Sequence, residues 1–130
     1  MHVAAVVVTY NRLPLLQQCL QALDAQTAAL AAIWVIDNAS TDGTEAAVRG
    51  MNLPNLIYRN TGRNLGGAGG FAYGVREAAL AGYDALWLMD DDTIPEPEAL
   101  EKLLQADHEL QRSYGWLSSR ALAPDGTDQP

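Results

Sequence analysis

A chain of 130 residues with an apolar fraction of 48% is large enough for one domain with its own core and too apolar for disorder. Sixteen acidic residues against eight basic ones leave a net charge of −8, so no basic face is available for nucleic acid. No apolar run approaches the roughly 18–20 residues of a membrane span. No basic segment precedes the first apolar run, and the single Cys19 excludes an internal disulfide, which together point to a cytoplasmic protein.

Val3–Val8 is a continuous β-branched run, as expected of a strand buried on both faces. Thr9-Tyr-Asn-Arg12 turns the chain. Pro14 suits a first helical turn, and Leu15, Leu16, Cys19, Leu20 and Leu23 follow at helical spacing, with Cys19 as a packing residue. Ala32–Ile36 reads as a second strand ending in Asp37-Asn-Ala-Ser-Thr-Asp-Gly43. Asp42 with Glu45 suggests a cap before a short helix over 45–49. Leu56–Tyr58 is the third strand, and after a glycine-rich loop the pattern predicts a helix over 68–80 packing through Phe71, Val75, Ala78 and Ala79. Ala85–Met89 is the fourth strand. Thr93, Pro95 and Glu96 suggest a capping box before a helix over 96–111, where Glu98 and Lys102 pair across one turn. Trp116–Leu122 reads as a last strand before a turn at Pro124-Asp-Gly126. Alternating strands and helices predict one α/β domain over 1–130, with a mainly parallel sheet and helices on both faces.

Ligands of open α/β sheets bind outside the carboxyl ends of the strands. Here those ends carry Thr9-Tyr-Asn-Arg12, Asp37-Asn-Ala-Ser-Thr-Asp42, Arg59-Asn-Thr-Gly-Arg-Asn64 and Asp90-Asp-Asp92. Three adjacent carboxylates repel one another, and such crowded oxygens suit a hard cation, Mg²⁺ or Mn²⁺. A nucleotide diphosphate would satisfy the whole edge. Asp37 can accept from a base N–H, and the 9–12 loop can wall base and ribose. The glycine-rich stretch offers backbone N–H groups at a helix start, beside Arg63. A cation between the aspartates and the diphosphate would relieve their repulsion and act as a Lewis acid toward the leaving group.

Each piece also has a purely structural reading. Asp37–Asp42 can serve as turn and cap residues, the glycines as close helix–sheet packing, Arg63 as a surface residue, and Tyr10 and Trp87 as packing residues. His2 and His108 read as surface positions. Gly67-Ala-Gly-Gly-Phe-Ala72 matches a dinucleotide fingerprint but follows the third strand instead of the first. A phosphoacceptor receiver would need an acidic pair after strand one and a late lysine. A nucleotidyltransferase would need a basic glycine loop after strand one.

Four segments in order, Val7–Arg12, Val35–Thr44, Asn64–Phe71 and Trp87–Asp92, resemble the N-terminal part of family 2 glycosyltransferases of the GT-A fold, over roughly residues 3–97. The last two look most like the rhamnosyltransferase and galactofuranosyltransferase branches. The resemblance implies an inverting transferase using a UDP- or dTDP-sugar, a divalent metal, and a glycan or lipid-linked acceptor. It allows peripheral association with the inner membrane face. Thr9, Tyr10 and Asn11 would line the base and ribose pocket, Asp37 would hydrogen-bond the base, and Arg12 and Asn38 would also belong to the nucleotide-binding set. Arg63, Asn64, Gly66 and Gly67 would lie near the diphosphate. Asp90–Asp92 matches the Asp-x-Asp motif, with Asp92 the first metal ligand, Asp90 the second, and Asp91 toward ribose or sugar. The family's acceptor half and its catalytic base lie in a later part, so the chain reads as C-terminally truncated, with no base assigned and no transfer expected alone.

Overall fold

The computed structural model describes residues 1–109, with side chains through Ala106, and the backbone of 116–118. Five strands, β1 (Val3–Thr9), β2 (Ala32–Asp37), β3 (Leu56–Asn60), β4 (Ala85–Asp90) and β5 (Trp116–Ser118), form one sheet in the order β3-β2-β1-β4-β5. Every pairing is parallel. All seven residues of β1 are buried, because the central strand is covered on both faces.

The connecting helices are α1 (Leu13–Asp24), α2 (Thr44–Gly50), α3 (Gly66–Ala79) and α4 (Ala99–Glu109). Alternate side chains of each strand supply two cores. Val3, Ala5, Val7, Val35, Trp87 and Met89 pack with Leu16, Cys19, Leu20 and Leu23 of α1, Val48 of α2 and Leu100 of α4. Ala4, Val6, Val8, Trp34, Ile36 and Leu86 meet α3 through Ala78, Phe71 and Val75. Ala79 is exposed instead, one step round the helix from Ala78. Each fully buried aliphatic side chain contributes about 1.5–3 kcal/mol of burial free energy. The expected two-faced α/β sheet is therefore present.

Close approach of α3 to the sheet rests on two glycines. A Cβ on Gly70 would lie 2.6 Å from Val8 Cγ1, and one on Gly74 would lie 2.7 Å from Ile36 Cγ1 and 2.8 Å from Val6 Cγ1.

Element boundaries differ from expectation for local reasons. Helix α4 begins at Ala99, not Glu96, because Glu96 precedes Pro97 and a residue before proline is disfavoured in helical conformation. In place of a Thr93–Glu96 capping box, Gln26 from the end of α1 reaches across. Its Nε2 donates to Glu96 O (2.7 Å), and its Oε1 accepts from the Leu100 N–H (3.0 Å). Glu98 and Lys102 do pair, at 3.9 Å. The cap of α2 is Gly43, in the left-handed region at φ 80°, rather than Asp42. Residues 110–111, 119–122 and the Pro124–Gly126 turn lie outside the described residues. Among the described residues, no helix is long and apolar enough to cross a membrane.

Candidate functional site

Strand register gathers the polar residues at one edge. Thr9 is level with Asp37, Asp37 with Asn60, and Val8 with Asp90, so the four loops leave the sheet side by side. Between β1 and β4 the chain reverses its direction of travel across the sheet, the place where such folds open a crevice.

The first two loops are laced together. Asn11 adopts φ 50°, a conformation asparagine tolerates. Its Oδ1 accepts from the Thr41 N–H (2.7 Å), and its own N–H donates to Ser40 Oγ (2.8 Å). Asp42 accepts from the Leu13 N–H (3.2 Å) and from the Thr44 hydroxyl, and the Thr44 bond holds its carboxyl below the usual range. Asp42 thus ties the start of α1 to that of α2, which explains why it does not cap. Tyr10, which the sequence also allowed as packing, is 43% exposed and stands over this edge.

Asp37 is a buried hub. Its Oδ1 accepts from the Ser40 N–H (2.9 Å), its Oδ2 from the Tyr58 hydroxyl (2.5 Å), and its carbonyl from the Thr61 N–H (2.9 Å). Only the remaining lone pairs of its carboxylate are left for a base. Burial raises the Tyr58 phenol, and its bond to Asp37 adds to that. Tyr58 carries no signal in the sequence beyond its place in an apolar strand. It reaches Asp37 because β3 pairs with β2 and sets Tyr58 two residues before the level of Asp37.

Asn38, also buried, holds the glycine-rich loop. Its Nδ2 donates to Gly66 O (3.1 Å), while its Oδ1 accepts from Thr61 Oγ1 (3.2 Å) and the Leu65 N–H (3.4 Å). Gly66, at φ 75°, gives its N–H to Asn64 Oδ1 (2.9 Å) and opens α3. Gly67 lies in the first helical turn, with nothing within 4 Å of where a Cβ would stand. An N–H in the first turn of a helix has no intrahelical acceptor, and such groups favour anions. Arg63 is exposed and makes no ion pair among the described residues.

The three aspartates divide into two kinds. Asp91 is buried, with Oδ2 accepting from Thr9 Oγ1 (2.9 Å) and Oδ1 lying 3.5 Å from Arg12 Nη1. Burial raises its carboxyl, against the lowering effects of Thr9 and Arg12. Asp90 and Asp92 are exposed on either side of it, and Arg12 Nη1 also lies 3.8 Å from Asp92 Oδ2. Among the described residues, no three Asp, Glu, His or Cys side chains group to hold a metal ion. The donor set still fits Mg²⁺ or Mn²⁺, which is commonly held by one or two carboxylates with phosphate and water oxygens completing the shell. His2 is exposed and remote, its N–H bonded to Asp84 at the opposite end of the sheet.

Fold and edge together define a Rossmann-like α/β protein whose polar strand ends lie side by side along one edge of the sheet. Residues 4–119 match the family model of glycosyl transferase family 2. The chain belongs to that family. It is 40% identical over 107 residues to the galactofuranosyltransferase GlfT1 of Mycolicibacterium smegmatis, covering 82% of this chain and 35% of that protein. S. aureus TarS 1–349 in complex with UDP superposes with a TM-score of 0.73 at 25% identity, over 84% of this chain and 32% of that one. The mannosyltransferase PcManGT of Pyrobaculum calidifontis, in complex with GDP-Man and Mn²⁺, superposes at 0.68 with 26% identity, over 80% and 31%. The sheet is that of the GT-A fold. The chain spans about a third of the length of these relatives.

Proposed function

We propose that residues 1–130 are the donor-binding part of an inverting glycosyltransferase. It takes a UDP- or dTDP-sugar and passes galactofuranose, rhamnose or a similar sugar to a glycan or lipid-linked acceptor, working at the cytoplasmic face of a membrane. The observation that carries this reading is the register-enforced convergence of Thr9, Asp37, Asn60 and Asp90 on one crevice. The UDP and GDP-Man complexes of the structural relatives support a nucleotide ligand there, and GlfT1 supports the galactofuranosyl branch.

In this reading Tyr10 and Asn11 wall the base and ribose, Arg12 stands beside the aspartates, and Asp37 and Asn38 keep the neighbouring loops in place. The first-turn N–H of Gly67 and the charge of Arg63 meet the diphosphate, where a helix start favours anions. Mg²⁺ or Mn²⁺ held by Asp90 and Asp92 would supply Lewis-acid stabilisation to the departing diphosphate. Asp91, fixed by Thr9, orients its two neighbours and does not itself reach outward.

Calorimetric titration of UDP and dTDP into the chain, with Mn²⁺ and then with EDTA, tests this. Binding is expected only with metal and is expected to weaken at least tenfold in Asp92→Asn. Binding of equal strength in EDTA and in that variant would refute the site.

A further inference from the structure

Arg12 is the only cationic side chain among the described residues that pairs with the acidic triplet. Its Nη1 stands between two carboxylates, 3.5 Å from Asp91 and 3.8 Å from Asp92. Both distances exceed the ~2.7–2.9 Å of a tight charge-assisted bond. The Arg12 side chain is 54% exposed, so it neutralises these groups without being locked to them. Asp92 is also the carboxylate through which the proposed donor site would hold its ion. A guanidinium and a dication on the same carboxylate repel each other. With two exposed carboxylates in reach and no third ligand grouped with them, a free dication has little to set against that repulsion.

A diphosphate changes the balance. It brings negative charge to the ion's open positions, and its oxygens match the planar fork of a guanidinium better than a distant, half-shared carboxylate does. Resting on the donor-site reading above, we infer that Arg12 is a resident counter-cation that makes metal binding depend on nucleotide. It holds Asp92 while the crevice is empty and turns to the diphosphate when the donor arrives. Asp92 is then released to the ion that accompanies the nucleotide. Arg12 is thus a positioning residue, acting through Asp92, and it enforces simultaneous arrival of metal and donor.

The test is a Mn²⁺ titration of the 130-residue chain at low salt, followed by the electron paramagnetic resonance signal of free Mn²⁺, first without nucleotide and then with UDP. Without nucleotide, Arg12→Gln is expected to bind Mn²⁺ about two- to fivefold more tightly than wild type, the span expected for losing partly exposed charge contacts. Arg12→Lys, which keeps the charge, is expected to behave as wild type, and adding Asp92→Asn to Arg12→Gln should cancel the gain. UDP should tighten Mn²⁺ binding more in wild type than in Arg12→Gln. A residue that merely supports the loop would weaken metal binding when removed, so the direction of change is decisive. Unchanged or weaker Mn²⁺ binding in Arg12→Gln overturns the inference, as does an equal gain in Arg12→Lys or a gain that survives Asp92→Asn. If Mn²⁺ binds with UDP and is lost in Asp92→Asn while Arg12→Gln is neutral, the donor site stands and only the role of Arg12 falls. If no variant binds Mn²⁺ at millimolar concentration with UDP, both fall together.

Discussion

Gly74→Ala separates glycines that pack from glycines that could touch a ligand. The new Cβ would stand 2.7 Å from Ile36 Cγ1 and 2.8 Å from Val6 Cγ1, against ordinary carbon contacts of about 3.5–4.0 Å. Both neighbours are fully buried, β-branched and carried on central strands, so neither side chain can rotate away cheaply. Overpacking of this kind costs about 1–3 kcal/mol, and two simultaneous contacts argue for the upper end. Removing a mid-helix glycine returns about 1 kcal/mol. The net expectation is a loss of about 2 kcal/mol, and for a chain of this size a fall in Tm of roughly 6–10 °C. Gly67→Ala, with open space at its Cβ, is expected to be neutral or to stabilise by up to about 0.5 kcal/mol while reducing UDP affinity. Urea unfolding followed by circular dichroism reads the stabilities, and calorimetry reads the affinity. Gly74→Ala as stable as wild type, or Gly67→Ala as damaging to stability as Gly74→Ala, would refute the division.

Tyr58→Phe leaves a buried Asp37 oxygen without its hydroxyl partner and should cost about 1–3 kcal/mol in urea unfolding; an unchanged midpoint would show that water replaces the bond. Asn38→Ala removes the ties to Gly66, Thr61 and Leu65, so hydrogen exchange should speed up selectively at the Leu65 amide, and uniform protection would contradict that role. Burial pushes the Cys19 thiol up to about 12 from 9.0, so the folded state holds its proton longer than the unfolded state does. Its contribution is therefore complete below pH 9 and declines between pH 9 and 12, by up to about 1.4 kcal/mol per pH unit. Cys19→Ala should flatten the alkaline stability profile, and native Cys19 should resist iodoacetamide at pH 8 until the chain is unfolded.

The fold was legible because its strands are short apolar runs and its helices carry apolar stripes, two periods that do not resemble each other. Boundaries failed where a long-range contact replaced a local one. The Thr93–Glu96 box looked like a helix start, yet the Gln26 amide just past α1 serves α4, and Pro97 disfavours the earlier beginning. The signal of Pro97 was present in the sequence; that of Gln26 was not, because nothing local says which helix end it will meet. Asp42 had the chemistry of a cap, but its carboxylate is shared between the Leu13 N–H at the start of α1 and the Thr44 hydroxyl at the start of α2.

The site was legible in its place but not in its division of labour. A parallel sheet sends every strand's carboxyl end to the same side, so reading the strands was enough to bring the four polar clusters together. Which member of each cluster points outward depends on the side-chain period of two and on the neighbouring strand. Asp90–Asp92 is three identical residues in sequence, but only the middle one lies within reach of Thr9 on β1, and that single bond turns it inward. Its neighbours are left facing solvent, with the Arg12 guanidinium shared between Asp91 and Asp92, in a chain of net charge −8. Local geometry and overall charge therefore push the same way. The negative field of the triplet works against an anionic ligand at this edge, and that repulsion is the physical ground on which the proposed donor site includes a divalent cation.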